Sequence, residues 1–181
     1  AENLHDFRWE ADEANAIRDV TETFTRNEGK APKGWMGAGT YENSTTPDLL
    51  KEAGYKYVMD WPCDDQPVWM RTRSGPLLIV PYPAEINDSP GIVHRQHSAR
   101  EFCDMMVDQF EEMIVQCERE PLVCNISIHP YIFGQPFRLH PLRAAFKHFV
   151  THKLKDRVWW CKPEDISDYC HSLPPGIVPG S

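Results

Sequence analysis

Short, nearly unbroken apolar runs separated by helical stretches narrow the fold of this chain more than any other feature. Residues 55–59, 77–80, 122–128 and 158–160 are apolar at almost consecutive positions instead of alternate ones. A strand that is apolar on both faces has to be covered on both faces, which is the condition of a parallel sheet packed between helices. The stretches between these runs supply the helices. Residues 11–27 place Ile17, Val20 and Phe24 on one helical face. Thr46-Pro47 predicts an N-cap with proline at the first helical position, and Gly54 closes that helix. Ser98 and Glu101 have capping-box spacing and open the best helix in the chain. Its stripe is Phe102, Met105, Met106, Phe110, Met113, Ile114 and Cys117, and so regular a stripe reads as a core face, not as a groove for a cofactor or peptide. Pro141 predicts the start of a further helix that buries Leu142, Ala145, Phe146, Phe149 and Val150, and Pro163 the start of the last. This β-α order predicts an α/β fold, part of a barrel or of a doubly wound sheet.

Composition bounds the function. The chain has 181 residues, of which 41% are hydrophobic and 25% charged, so it is neither disordered nor collagen-like. Net charge is −8 and the basic residues are scattered, which argues against nucleic acid or an anionic membrane as the main partner. No apolar run is long enough to cross a bilayer. The six cysteines show no C-x-x-C pair, and Cys103 and Cys117 would lie about 21 Å apart on one helix, too far to bridge. Reduced, mostly buried thiols follow, and with them a cytoplasmic protein.

In parallel α/β folds ligands bind at the carboxyl ends of the strands. After the run 55–59 come Asp60, Trp61, Cys63, Asp64 and Asp65; after 77–80 comes Tyr82; after 122–128 come His129 and Tyr131; and a short segment ends at Lys33-Gly34-Trp35. His129 is the sharpest candidate, because an imidazole exchanges a proton near neutral pH and a strand end holds it rigidly. It could equally cap the strand end by bonding to backbone. Asp60, Asp64 and Asp65 could orient it, bind a substrate amide or solvate an acidic loop. Trp35, Trp61 and Tyr82 could wall a pocket or belong to the core. His94 and His97 have H-x-x-H spacing, but no third metal ligand lies near them in sequence. No dinucleotide, P-loop or GxSxG motif is present.

The segments Pro32-Lys33-Gly34-Trp35, Thr46-Pro47-Asp48-Leu49-Leu50, Ala53-Gly54-Tyr55, Asp60-Trp61 and Asp64-Asp65-Gln66-Pro67 resemble, in order and spacing, the polysaccharide deacetylase (NodB-homology) superfamily. So do Val80-Pro81-Tyr82-Pro83, Glu85-Ile86-Asn87-Asp88 and the stretch from Ile126 through His129-Pro130-Tyr131 to Arg138. The resemblance covers nearly all of 11–172 and is strongest to the cofactor-independent allantoinase-like branch.

It implies a distorted (β/α) barrel and hydrolysis of a non-peptide carbon–nitrogen bond, in a small-molecule amide or an acetamido sugar. His129 would be the catalytic general acid, and Trp35, Asp60, Trp61, Asp65 and Tyr82 would bind substrate. The family's aspartate base and Asp-His-His metal triad have no counterpart here. They are expected before Ala1, with the N-terminal strands, so the chain reads as the C-terminal two-thirds of a member. The expected domain is a partial one over 1–173, with 174–181 a flexible tail. The resemblance assigns no cofactor to these residues, leaves a divalent metal (zinc) to the full-length protein, and is compatible with a homo-oligomer. The family arginine that holds the base is replaced by Lys33, which keeps the charge without the bidentate fork. A second reading is a catalytically inactive barrel portion that serves binding or assembly.

Overall fold

Strands β1 (Gly34–Trp35), β2 (Tyr57–Val58), β3 (Val68–Thr72) and β4 (Gly75–Ile79) form one sheet in the order β1-β2-β4-β3. The computed structural model describes residues 7–181 and divides into two units, one made of Ala1–Pro81 with Cys161–Ser181 and the other of Tyr82–Trp160. The sheet lies wholly in the first unit. β2 is parallel to β1 and β4, with Tyr57 opposite Gly34 and Leu78, and Val58 opposite Trp35 and Ile79. This is the predicted parallel α/β arrangement for three of the strands.

β3 was not expected, because residues 63–75 read as a loop. It pairs antiparallel with β4 from Val68–Ile79 to Thr72–Gly75, across the two-residue turn Arg73-Ser74. Gly75 at φ +110 supplies the left-handed backbone that the turn requires. Near the C-terminus the Trp69 N–H donates to the Pro179 carbonyl at 2.8 Å and Val178 is buried.

Three helices belong to this unit: α1 (Glu10–Glu28), α2 (Thr46–Glu52) and α6 (Pro163–Ser172). Ile17 joins Trp35, Leu49, Leu50, Tyr55, Val58, Leu77 and Ile79 in one core. Phe24, placed on the same helical face by its spacing, is 52% exposed, since it lies nearly two turns beyond Ile17. α2 starts one residue earlier than predicted: Thr45 is the N-cap, Thr46 the first helical residue and Pro47 the second, and the cap makes no side-chain hydrogen bond. The Thr46 hydroxyl donates to Glu13, a carboxylate only 1% exposed, to which Asn43 Nδ2 also donates at 2.8 Å. α6 begins at Pro163 as expected, and from it Glu164 and Asp168 reach Lys33 Nζ at 3.0 and 2.8 Å.

The second unit is a helical pair with attached turns. α3 (Ala99–Gln116) opens on the predicted capping box, with Glu101 N–H donating to Ser98 Oγ at 3.2 Å and Ser98 N–H to Glu101 Oε2 at 2.7 Å. Its stripe packs Phe102, Met106, Phe110 and Ile114 against Ile132, Phe133, Leu142, Ala145 and Phe149. A one-turn α4 (Pro130–Phe133) precedes α5 (Pro136–Thr151). Pro141 therefore lies inside α5 instead of starting it; the start falls at Pro136, where a missing N–H costs nothing. Val150, predicted to be buried, is 51% exposed.

Two expected strands do not form among the described residues. In 122–128 only Ser127 is bridged, in parallel to Asn87, through Ser127 N–H to the Ile86 carbonyl at 2.9 Å and Asp88 N–H to the Ser127 carbonyl at 3.0 Å. An apolar run becomes a strand only where a neighbour completes its ladder. In 158–160, Trp159 and Trp160 are 59% and 56% exposed, and of that run only Val158 packs against the core.

Candidate functional site

The pairing of residues 86–88 with Ser127 sets up the clearest constellation in the Tyr82–Trp160 unit. It brings Asp88, which is fully buried, against His129 two residues after Ser127. One carboxylate oxygen of Asp88 accepts the His129 backbone N–H at 2.7 Å, and the other faces His129 Nδ1 at 2.6 Å. A buried carboxylate at Nδ1 fixes the ring as the Nδ1–H tautomer and leaves Nε2 as the atom that can exchange a proton. His129 is the residue before α4, with Pro130 at the first helical position, so the backbone also fixes its direction. Its side chain is 38% exposed and the Tyr131 ring lies 5.4 Å away.

Tyr82 belongs to the same neighbourhood. Its hydroxyl is 2.5 Å from Ser127 Oγ and receives Asn87 Nδ2 at 3.3 Å. The carboxylate partner of His129 is thus Asp88, not one of the acids at 60, 64 and 65. Asp64 accepts the Asp65 backbone N–H at 2.7 Å in an exposed turn.

In the sheet-bearing unit, Trp35, Asp60 and Trp61 are brought together by Gly37 and Glu42. Both oxygens of Asp60 accept the Gly37 N–H, at 2.9 and 2.8 Å, and Trp61 Nε1 donates to Glu42 Oε2 at 2.5 Å. A Cβ on Gly37 would lie 2.9 Å from the Tyr41 carbonyl oxygen, 3.2 Å from Asp60 Oδ2 and 3.5 Å from Trp35 Nε1, so only glycine allows this approach. Burial, together with the Asp60 carboxylate beside it, pushes the Glu42 carboxyl up to about 9. Burial also raises Asp60. Glu42 Oε1 is buried and has no hydrogen-bond partner among the described residues. Trp35 Nε1 is the other buried polar atom without a partner among the described residues.

Sequence reasoning missed Asp88 and Glu42. Asp88 sits in a segment that carried the family resemblance, directly before Ser89-Pro90, and that was its available signal. Glu42, a single charge in a loop, offered none. Lys33 is engaged with α6, and the carboxylates of Asp168 and Glu164 raise its pKa.

Solved structures share the fold. The allantoinase PuuE superposes with a TM-score of 0.82 at 25% identity, covering 95% of this chain and 57% of that one. A probable polysaccharide deacetylase from Pseudomonas aeruginosa PAO1 gives 0.81 at 25% identity, over 96% and 57% of the two chains. The chain has a NodB-like fold. It spans a little over half the length of these relatives. No family model and no curated protein matches the sequence. Among the described residues, the one group of His, Cys, Asp and Glu with metal-ligand geometry is Glu111, His148 and His152. His94 and His97 are not part of it. All six cysteines are free. No helix among the described residues is long and apolar enough to cross a membrane.

Proposed function

We propose that this chain serves a hydrolase of non-peptide carbon–nitrogen bonds, with His129 as general acid and Asp88 as the group that positions it. The observation that carries the reading is the double contact of a fully buried Asp88 with the backbone and the ring of His129. Amide cleavage passes through a tetrahedral intermediate, whose C–N bond breaks only if the leaving nitrogen receives a proton. The Asp88 carboxylate accepts Nδ1–H and stabilises the imidazolium, so that Nε2–H is the proton delivered. The nitrogen leaves as a neutral amine, and His129 returns to the Nδ1–H tautomer ready to be reprotonated. The similarity to an allantoinase and a polysaccharide deacetylase supports this reaction class. Tyr82 and, in the sheet-bearing unit, Trp35, Asp60, Trp61 and Asp65 are the proposed substrate contacts. Membership of a distorted (β/α) barrel is part of the same proposal.

The test is a substrate panel of cyclic and linear ureides and N-acetylated oligosaccharides, read as ammonia or acetate released. It is run on this chain and on a protein of the relatives' length that contains it. His129→Ala should lower kcat by about 100-fold or more against whichever class is turned over. Equal turnover in the variant, or none by either protein on any substrate, rejects the reading.

A further inference from the structure

α3 and α5 present three ligand-type side chains to one point on the surface of the Tyr82–Trp160 unit. His148 and His152 are one helical turn apart at the end of α5, and Glu111 faces them from α3. Glu111 Oε1 lies 2.6 Å from His148 Nε2 and 3.3 Å from His152 Nε2, and the three ligand atoms are all within 4.8 Å of one another. Two ligands bound at about 2.0 Å to a tetrahedral ion stand about 3.3 Å apart, so the Glu111–His152 pair has the required span, the Glu111–His148 pair opens by under an ångström, and the two imidazole nitrogens, within 4.8 Å of each other, adjust by rotation of the exposed His148 ring.

The apolar surroundings keep the rings in place. Phe110 packs edge-on to His152 at 5.4 Å and to His148 at 6.4 Å, and Phe149 lies 6.2 Å from His148. The His152 side chain is only 8% exposed, whereas His148 and Glu111 are 41% and 44% exposed. One ligand is thus anchored while the mouth stays open to solvent for entry of an ion and for a water in the fourth position.

We propose that Glu111, His148 and His152 bind one divalent d-block cation, for which zinc fits best, and that the ion clamps α3 to α5. Two imidazoles and a carboxylate suit zinc and its neighbours, while calcium and magnesium require oxygen ligands. The site does not depend on the hydrolase reading. It has one internal cost. His152 Nδ1 accepts the Leu154 N–H at 3.1 Å, and coordination through Nε2 moves the ring proton to Nδ1, so this hydrogen bond is given up. Affinity should therefore fall short of that of sites whose second nitrogen donates to a carboxylate or carbonyl.

Isothermal titration of the tag-free chain with zinc chloride, and visible absorption with cobalt as the tetrahedral reporter, test this directly. One zinc per chain is expected, with cobalt d–d bands and a rise in Tm of roughly 5–10 °C at hundredfold excess over Kd. His148→Ala and Glu111→Gln should each weaken binding at least about tenfold, with the far-UV dichroism unchanged. Glu111→Gln is isosteric and carries the test alone if His148→Ala does not fold. Absence of saturable binding at up to millimolar zinc, or binding undiminished in the variants that fold, overturns the proposal.

Discussion

Asp88 holds His129 at two points, accepting its backbone N–H on one carboxylate oxygen at 2.7 Å and meeting its ring Nδ1 with the other at 2.6 Å. Asp88→Asn leaves one acceptor where there were two and removes the charge that stabilises an imidazolium. We expect kcat of any C–N hydrolysis to fall by about 100-fold or more with KM little changed. Nitrogen NMR of His129 should show the Nδ1–H tautomer losing its dominance. Retention of both the rate and the tautomer would remove Asp88 from its positioning role.

The Glu42–Asp60 pair makes stability fall as pH rises. Glu42 ionises near its ordinary carboxylate value in the unfolded chain but only at about 9 in the folded one. Between these limits the folded state binds more protons, so the full stability is present below the unfolded value and is lost as pH climbs towards 9. The slope from this group is at most about 1.4 kcal/mol per pH unit. Glu42→Gln mimics the protonated acid, with an oxygen for Trp61 Nε1 and an N–H for Asp60. Its Tm should exceed the parent's at pH 8 and match it at pH 5, as followed by thermal melts across that range. A parallel pH dependence in the two proteins would place the retained proton elsewhere.

Gly37→Ala tests the close approach over the carboxyl pair. Its Cβ would stand 2.9 Å from the Tyr41 carbonyl oxygen, and backbone cannot yield as a flexible side chain does. A loss of about 1–3 kcal/mol in urea unfolding is expected, with the difference from the parent shrinking when Glu42 is also replaced by Gln, because the two positions act through Asp60.

In the helical unit, Phe102 is fully buried and its ring lies 5.6 Å from that of Phe133. Phe102→Ala should cost about 3–5 kcal/mol, measured by denaturant unfolding, while Val115→Ala, at a position 59% exposed on the same helix, should cost little.

What the sequence made legible was what local chemistry decides. The Ser98–Glu101 box, the α3 stripe and the proline start of α6 depend on a few neighbouring residues, and they form as expected, while the start of α2 is off by one residue. What it concealed depends on partners far along the chain. The run 122–128 has strand composition but meets only the segment around Asn87, and 68–72 becomes a strand because Leu77 and Leu78 lie across a two-residue turn. Pro141 carried the usual start signal, yet it lies inside a helix that begins at Pro136. His129 was visible because histidine after an apolar run is uncommon. Asp88 was not, since an aspartate before Ser-Pro looks like any turn, and its burial is decided by the distant Ser127.

The docking of Pro179 on Trp69 makes the two sides of the sheet unlike. At the β3 side the Trp69 N–H is already occupied by the chain's own end. Among the described residues no strand flanks the outer side of β1. β1 is also the strand that carries the buried indole N–H of Trp35, which has no partner among the described residues.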